Sequence, residues 1–554
     1  MSDDAKQRMP RSAQVLIGVQ LAIYGLIAWL SPLFDFYAAE RERPLLLAVS
    51  LLLTNFALHL WSLAILLKSP DSRSLGWRII LVALAMRVIL IGSTPIQEVD
   101  IYRYIWDGIA ATQGISPFRY PPLAIADKDK PTNEPELQRL RSLVAQNAGI
   151  HETLHRVHFP ELPTVYPTTS QFVFAGAALV TPADSSVTTR LLIMKSWIVA
   201  FDLGALGLIW LLLRRFGKHT AWLIAWGWSP LVLKEFANSG HLDSIAVFFT
   251  LAATYVLAIQ PTRKSRWASG LLMGLAVASK LYPVILLPLW IVAYSKRTGW
   301  LKGIQLATLA SLTSFALLLP MAWDRLPFSQ QTSVASADAT DQGSLQGLST
   351  FLTRWEMNDL LFMIVEENIR PAHHVPQQPS LWFVLVPDTV RRSVTGQLAA
   401  WSGQSEDRIP FLATRAFTVV IFGIILFWLA WQAWREPEQL PQWMFLALAW
   451  FWFLSPTQNP WYWCWALAFV PFAKSKAWLA VSGLSLIYYL RFWFLYHFPD
   501  AGAADAGILG TAYRGTSFFD FVVVWLEFGP FLAILAFVAF RRKRKSSHKM
   551  DEAV

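Results

Sequence analysis

The sequence is short of charge and almost without cysteine. Asp, Glu, Lys and Arg make up 15% of its 554 residues, against about 25% in an ordinary soluble domain. The single cysteine, Cys464, excludes an intrachain disulfide. It stands in an apolar, Trp-rich stretch and is expected to be inert packing. The charge that is present leans positive, +10 net, but a nucleic-acid binder would gather that charge on one soluble face. Here the basic residues come in small groups between apolar runs, which is the pattern of the positive-inside rule and not of a nucleic-acid partner.

Apolar residues fill the gap, at 55% of the chain. Runs such as "QVLIGVQLAIYGLIAWL" and "LLLAVSLLLTNFALHLWSLAILL" approach the roughly 20 residues needed to cross a bilayer. The expectation is one all-α polytopic membrane domain over residues 1–554 with no separate soluble core. Lys6, Arg8 and Arg11 precede the first run and no small-residue cleavage site follows it, so it reads as a retained first span.

Basic residues in short loops set the sidedness. Spans at about residues 14–34, 44–67 and 75–94 bring the chain outside near residue 95. A long external segment, 95–187, follows. Its "QFVFAGAALV" is too short for a span and reads as juxtamembrane or re-entrant. A second external segment covers 323–410. The full count is roughly fourteen spans, with both termini cytoplasmic and "RRKRK" inside. Asp100, Asp107, His241, Asp243, Lys280, Asp324 and Trp461 then gather at the outer face. Prolines in "GISPFRYPP", "SPLVL" and "KLYPV" interrupt helices there. Irregular backbone at membrane depth is tolerated only in protein or beside a wet cavity, so an outward-opening cavity is expected.

The most charged of these stretches is "VDIYRYIWDG", residues 99–108. As a helix it aligns Asp100, Arg103, Tyr104 and Asp107 at i, i+3, i+4 and i+7. Ile101, Ile105, Trp106 and Ile109 fall opposite. This predicts an amphipathic helix on the membrane surface with a charged stripe facing away from lipid, loosened at its end by Gly108 and Gly114. Its plain reading is an Asp100 N-cap and an Arg103–Asp107 ion pair worth about 0.3–0.5 kcal/mol. Its functional reading is Asp100 as a general base within reach of a substrate hydroxyl.

"DIYRYIWDGIAATQGISPFRYPP", "YPTTSQ", "NSGHLDSIAVFF", "GLAVASKLYPVILLP" and "SPTQNPWYWCW" follow one another over about residues 75–475. In this order they resemble the GT-C glycosyltransferases, and among them the bacterial polyprenol-phosphate-dependent mannosyltransferases of glycosyltransferase family 87 and its relatives. The resemblance implies a GT-C-type bundle with external juxtamembrane helices in the bacterial cytoplasmic membrane. It implies transfer of a sugar, with mannose suggested, from a polyprenyl phosphate to an acceptor hydroxyl on a glycan or glycolipid, at the outer face and with inversion. Asp100 inherits the catalytic role.

A lipid phosphate donor calls for cations at headgroup level. Lys280, alone in an apolar stretch, fits that need, although a snorkelling lysine is the plain alternative. Arg103 and Arg119 are further candidates, and Tyr120 stands beside the latter. In "KEFANSGHLDS", Lys234, Glu235, His241 and Asp243 converge on one loop to bind sugar hydroxyls or phosphate, against the plain reading of Asp243 as a helix cap. Trp461 and Tyr462 suit a sugar platform or an interfacial aromatic belt. Asp324, Asp341 and the polar run "SQQTSVASADATDQGS" suit an acceptor-binding lid.

A rival motif is "HETLH", His151 to His155 with Glu152 between, which matches H-E-x-x-H. His158 supplies a third imidazole only if the helix continues past residue 155. No metal site is assigned. A zinc protease stays as a minor alternative, and a lipid-linked glycan polymerase or ligase, or a transporter, as nearer ones. A transporter would show paired halves, and no internal repeat is visible.

Overall fold

The computed structural model describes residues 9–127, 130–259, 262–322, 355–372, 381–499, 507–511 and 513–551. Among these the secondary structure is helical, with one isolated bridge, Met357 to Thr457, and no strand. The helices that position the site are α1 (Arg11–Leu30), α2 (Leu45–Leu66), α3 (Arg73–Ile91), α4 (Asp100–Thr112), α5 (Ala148–His155), α6 (Thr168–Leu179), α7 (Val187–Arg215), α8 (Asp243–Ile259), α9 (Arg263–Val277), α10 (Trp300–Ala322), α11 (Leu361–Glu367), α12 (Asp388–Ser402), α13 (Ile409–Arg435), α14 (Leu440–Leu454), α15 (Pro460–Leu467) and α16 (Val524–Asp551).

Among the described residues eight helices are long and apolar enough to cross a membrane. The number is nine if Pro230–Asn238 and α8, bent by 117° at their break, form one span. The protein is therefore an all-α, multi-pass membrane protein. The sequence reading of roughly fourteen spans counts every apolar run as a crossing. The structure divides several of those runs into shorter helices: α9 has 15 residues and α14 has 15. Proline is the local cause at Pro283 and Pro460, each in the first turn of a short helix.

Close packing between spans uses small residues. Gly270 and Gly274 of α9 form a G-x-x-x-G pair. A Cβ at Gly274 would stand 2.4 Å from Cβ of Thr313 on α10, so only glycine allows this approach. A charged pair also crosses the interior. Arg87 of α3 meets Asp202 of α7 through Nε–Oδ2 at 2.6 Å and Nη2–Oδ1 at 3.0 Å. Arg87 Nη1 donates to the carbonyls of Ala83 and Gly227, and Trp226 Nε1 donates to Asp202. The pair is fully buried and its donors and acceptors are matched.

The surface-helix expectation for α4 is corrected by the structure. Every residue from Ile101 to Ala110 is buried, because α4 is covered by α5, α6 and α7. Tyr104 stacks on Phe174 of α6 at 4.7 Å and meets Tyr166 edge-on at 4.9 Å. Gly108 serves close packing and does not loosen the helix end: a Cβ there would lie 2.3 Å from the Phe174 carbonyl oxygen. Amphipathic periodicity marks a helix with two unlike sides, and here the polar side faces other protein instead of water.

The loop after α1 lies on the same side as α4 and α5. Arg156, just past α5, bonds Glu152 at 2.7 Å, Asp35 at 3.3 Å and the Tyr102 hydroxyl at 3.1 Å. Its guanidinium also sits over the rings of Tyr37 and Phe36. The chain thus returns to one face after its first span and again after its third.

Candidate functional site

Asp100 occupies the first turn of α4, with Val99 as the capping residue. Asp100 is therefore not the N-cap. Its Oδ2 accepts from the Tyr166 hydroxyl at 3.2 Å. Burial, and then the Asp100 charge, hold the Tyr166 phenol well above its usual range, so it stays protonated and donates. Asp100 also interacts electrostatically with Glu98, Lys280, Asp243, His158 and Tyr462. These residues come from five separated parts of the sequence.

Asp243 opens α8. It is not a plain helix cap: its Oδ1 accepts from Lys280 Nζ at 2.7 Å and from Trp465 Nε1 at 2.6 Å. Lys280 Nζ lies 4.4 Å from the Tyr462 ring centre, a cation–π contact. Tyr462 stacks on Trp465, which stacks on Tyr282 at 4.1 Å. His241 is buried and stacks on Trp461 at 4.2 Å, so it is no surface histidine. Lys234 and Glu235 lie in a π-helical turn, Leu233–Asn238, just before the sharp bend. Lys234 donates to Tyr489, and Tyr489 donates to Glu235 Oε1 at 2.7 Å. His241 Nε2 is 3.4 Å from Glu235 Oε2 but forms no hydrogen bond.

The unsatisfied groups are informative. Glu98 Oε1, His241 Nε2, Asp243 Oδ2, Gln458 Oε1 and Asn459 Oδ1 are buried and have no protein partner. Buried polar atoms are nearly always bonded to something. Glu98 is two residues from Asp100, and the other four orphans lie within three residues of a ring in the stacked pairs His241–Trp461, Tyr462–Trp465 and Trp465–Tyr282, a set of groups suited to a polar, ring-shaped ligand. Asp100, Tyr166, Lys280 and Tyr462 are only half-buried and make the accessible edge of the cluster.

The "YPTTSQ" motif stitches this cluster together. Tyr166 bonds Asp100. The Thr169 amide donates to the Ala278 carbonyl at 2.9 Å and Ser170 Oγ to the Ser279 carbonyl at 2.8 Å, which holds the turn that carries Lys280. Gln171 Nε2 donates to Asp107 Oδ2 at 3.0 Å.

Five candidates take other roles. Asp107 is bonded by Gln171, and no Arg103–Asp107 bridge forms. Arg103 instead spends its guanidinium on the carbonyls of Leu162, His158 and Phe159, at 3.0, 3.2 and 2.8 Å, so those donors hold a loop. Arg119 pairs with Glu136 at 2.7 Å and Tyr120 donates to Glu134 at 2.6 Å, both of these bonds being exposed. Tyr104 packs between aromatic rings, as described. The "HETLH" reading loses its third ligand because α5 stops at His155 and Arg156 is its cap. Glu152 is taken by Arg156 and by the Tyr37 hydroxyl. Among the described residues no group of three His, Cys, Asp or Glu is arranged to hold a metal ion. Asp324, Asp341 and the polar run lie outside the described residues.

Sequence reasoning missed Glu98, Tyr166, Trp465 and Tyr489. Glu98 carried a usable signal: a second carboxylate two residues before Asp100 in the same apolar context. The aromatics carried none that sets them apart from a chain with 28 Trp and 14 Tyr.

Two substitutions test the local physics. Burial pushes the Asp107 carboxyl up to about 6 from 3.8. Between about pH 4 and 6 the folded state holds a proton that the unfolded chain releases, so stability falls as pH rises through that window. The loss is on the order of 3 kcal/mol. Asp107→Asn should be the more stable protein at pH 7.5, with the gap closing near pH 4. Thermal unfolding in micelles across that range checks it, and a gap independent of pH rules it out. The second test concerns the loop before α4, where Gln97 has φ 61°, an uncommon state for a non-glycine residue. Asn238 holds this loop by donating to Ser93 Oγ and the Thr94 carbonyl and accepting from the Ile96 amide. Lys195 Nζ adds a bond to the Ser93 carbonyl at 2.5 Å. Asn238→Ala orphans the Ile96 amide and should cost about 1–3 kcal/mol; an unchanged unfolding midpoint would refute the clamp.

No family model, curated protein or solved structure matches this chain.

Proposed function

We propose that the protein is a glycosyltransferase that moves a sugar from a polyprenyl-phosphate donor to an acceptor hydroxyl at the outer face of a bacterial cytoplasmic membrane. The observation that carries this reading is the half-buried Asp100, held by Tyr166 beside a Lys280–Asp243 pair, orphaned polar atoms and stacked aromatics. Asp100 takes the proton of the acceptor hydroxyl. The acceptor oxygen attacks the anomeric carbon, and the carbon–oxygen bond to phosphate breaks with its electron pair on the leaving phosphate. One displacement inverts the centre and needs a single base, unlike the paired carboxylates of a hydrolase. Lys280, at the accessible edge, offsets the phosphate charge, and Tyr462, half-buried at the same edge, offers the sugar an aromatic contact. The GT-C resemblance of the ordered motifs supports the same reading, with mannose as its suggested sugar.

One observation favours a second reading. The bent pair Pro230–Asn238 and α8 places a broken helix at the site, which is also how transporters hold polar substrates. A single experiment separates the two. Purified protein in vesicles is given a panel of polyprenyl-phosphate sugars and short glycan or glycolipid acceptors, and polyprenyl phosphate release is followed by mass spectrometry. Release with formation of a glycoside supports transfer. Accumulation of the short glycan inside the vesicles with every donor intact would replace transfer with transport.

A further inference from the structure

The helix α12, Asp388–Ser402, is amphipathic in the reverse sense for a helix in water. Its protein-facing side is polar. Arg391 is buried and donates to the carbonyls of Arg370, at 2.5 Å, and Glu367, at 3.4 Å; Thr395, also buried, donates to the Ile369 carbonyl at 3.1 Å. These carbonyls belong to the C-terminal end of α11 and the turn after it, where backbone acceptors lack helical partners. Capping them fixes the rotation of α12.

The same rotation turns the apolar residues outward. Val390 and Val394 are exposed and Trp401 is 84% exposed. At 3.6 residues per turn these three fall within about 40° of arc. In the segment leading into the helix, Trp382 is exposed and Leu385 is 84% exposed. Arg392 projects from the side opposite the stripe and is exposed, with Asp388 of its own helix as its ion partner at 2.5 Å. The helix therefore has three environments: protein at Arg391 and Thr395, water at Arg392, and an apolar phase at Val390, Val394 and Trp401.

The neighbouring span indicates what that phase is. The membrane-crossing helix Glu406–Arg435 begins four residues after α12 ends, across a turn in which Gly403 has φ 68°. Its outward residues Phe417, Val420, Ile424, Phe427 and Trp431 are exposed and recur at helical spacing, so they form a lipid-facing stripe. α12 packs against that span and the turn that opens it.

We propose that α12, with Trp382 and Leu385, is an interfacial anchor: it lies in the headgroup layer with Val390, Val394 and Trp401 in the acyl boundary and Arg392 toward water. The partner is the bilayer surface itself. Exposed tryptophan on one side and an exposed, ion-paired arginine on the other is an amphipathic arrangement that favours this depth. The anchor also sets the height of α11 and of the preceding Met357, whose sulfur accepts from Tyr488 at 3.0 Å, beside Trp461 of the candidate site. The proposal does not depend on the reaction assigned above.

Cys464 is fully buried, so introduced cysteines are the ones a nitroxide label reaches. Val394→Cys, Trp401→Cys and Arg392→Cys are labelled in the full chain, reconstituted in nanodiscs, and read by electron paramagnetic resonance. Oxygen, which concentrates in lipid, should collide with labels 394 and 401 several-fold more effectively than a water-soluble nickel chelate does, and label 392 should show the reverse. Chelate access at 394 and 401 equal to that at 392 would place the stripe in water and overturn the proposal. Protection of 394 and 401 from both reagents would overturn it equally, by placing protein over the stripe.

Discussion

Asp100→Asn should lower turnover by roughly 10²–10⁴-fold, the loss typical of removing a general base. Donor binding and the unfolding midpoint should stay close to those of the parent protein. Asparagine has the same shape and its amide oxygen still accepts from Tyr166, now 3.2 Å from Asp100 Oδ2, so α4 keeps its packing. What disappears is the capacity to take a proton. Single-turnover measurement of polyprenyl phosphate release, with donor binding followed separately, divides chemistry from affinity. Asp107→Asn is the internal comparison. Its carboxylate is buried and takes a hydrogen bond from Gln171, with no bond to Asp100, Lys280 or Asp243, so that variant should turn over normally. Undiminished transfer by Asp100→Asn removes Asp100 from the mechanism. Equal loss in both variants assigns the effect to damage in α4.

Arg87→Met should destabilise the protein by about 3–5 kcal/mol, because it leaves Asp202 charged in a dry interior. Asp202 would keep only the Trp226 indole at 2.8 Å. Asp202→Leu alone should cost a similar amount by stranding the guanidinium. The double variant Arg87→Met, Asp202→Leu should be more stable than either single one, since both desolvated charges are gone and the replacements fill similar space. Unfolding in mixed micelles gives all three values. Strict additivity of the two single losses would show that the groups do not interact as the 2.6 Å contact implies. The pair ties α3 to α7 and to the Trp226–Gly227 turn, which leads into the broken helix of the site. Its loss should therefore weaken the whole cluster and not one residue of it.

Part of the candidate site is legible in the sequence. A carboxylate in an apolar context is expensive and draws attention, and that logic reaches Asp100, Asp243 and Lys280 one at a time. It does not reach their pairing. Lys280 and Asp243 are 37 residues apart and meet only because the α6 N-terminus holds the Ala278–Ser279 turn. Arg103 shows the reverse case. The sequence presents it as a free cation beside Asp100, whereas three loop carbonyls consume its donors. A sequence lists donors, and only a fold says where the competing acceptors stand.

Composition and periodicity alone determined that this chain is helical and crosses a membrane many times. Backbone groups in hydrocarbon must be satisfied within their own segment, so apolar runs of that length have few alternatives to helix. The sequence alone also placed irregular backbone near "SPLVL" and "KLYPV", because proline breaks helices wherever it occurs. Only the tertiary structure decided which side of each amphipathic helix met water. Helical period is identical whether the polar side of α4 faces solvent or protein, and whether the apolar side of α12 faces a core or lipid. That choice depends on what the neighbouring elements offer: the rings of Tyr166 and Phe174 around α4, and the free carbonyls of α11 beneath α12.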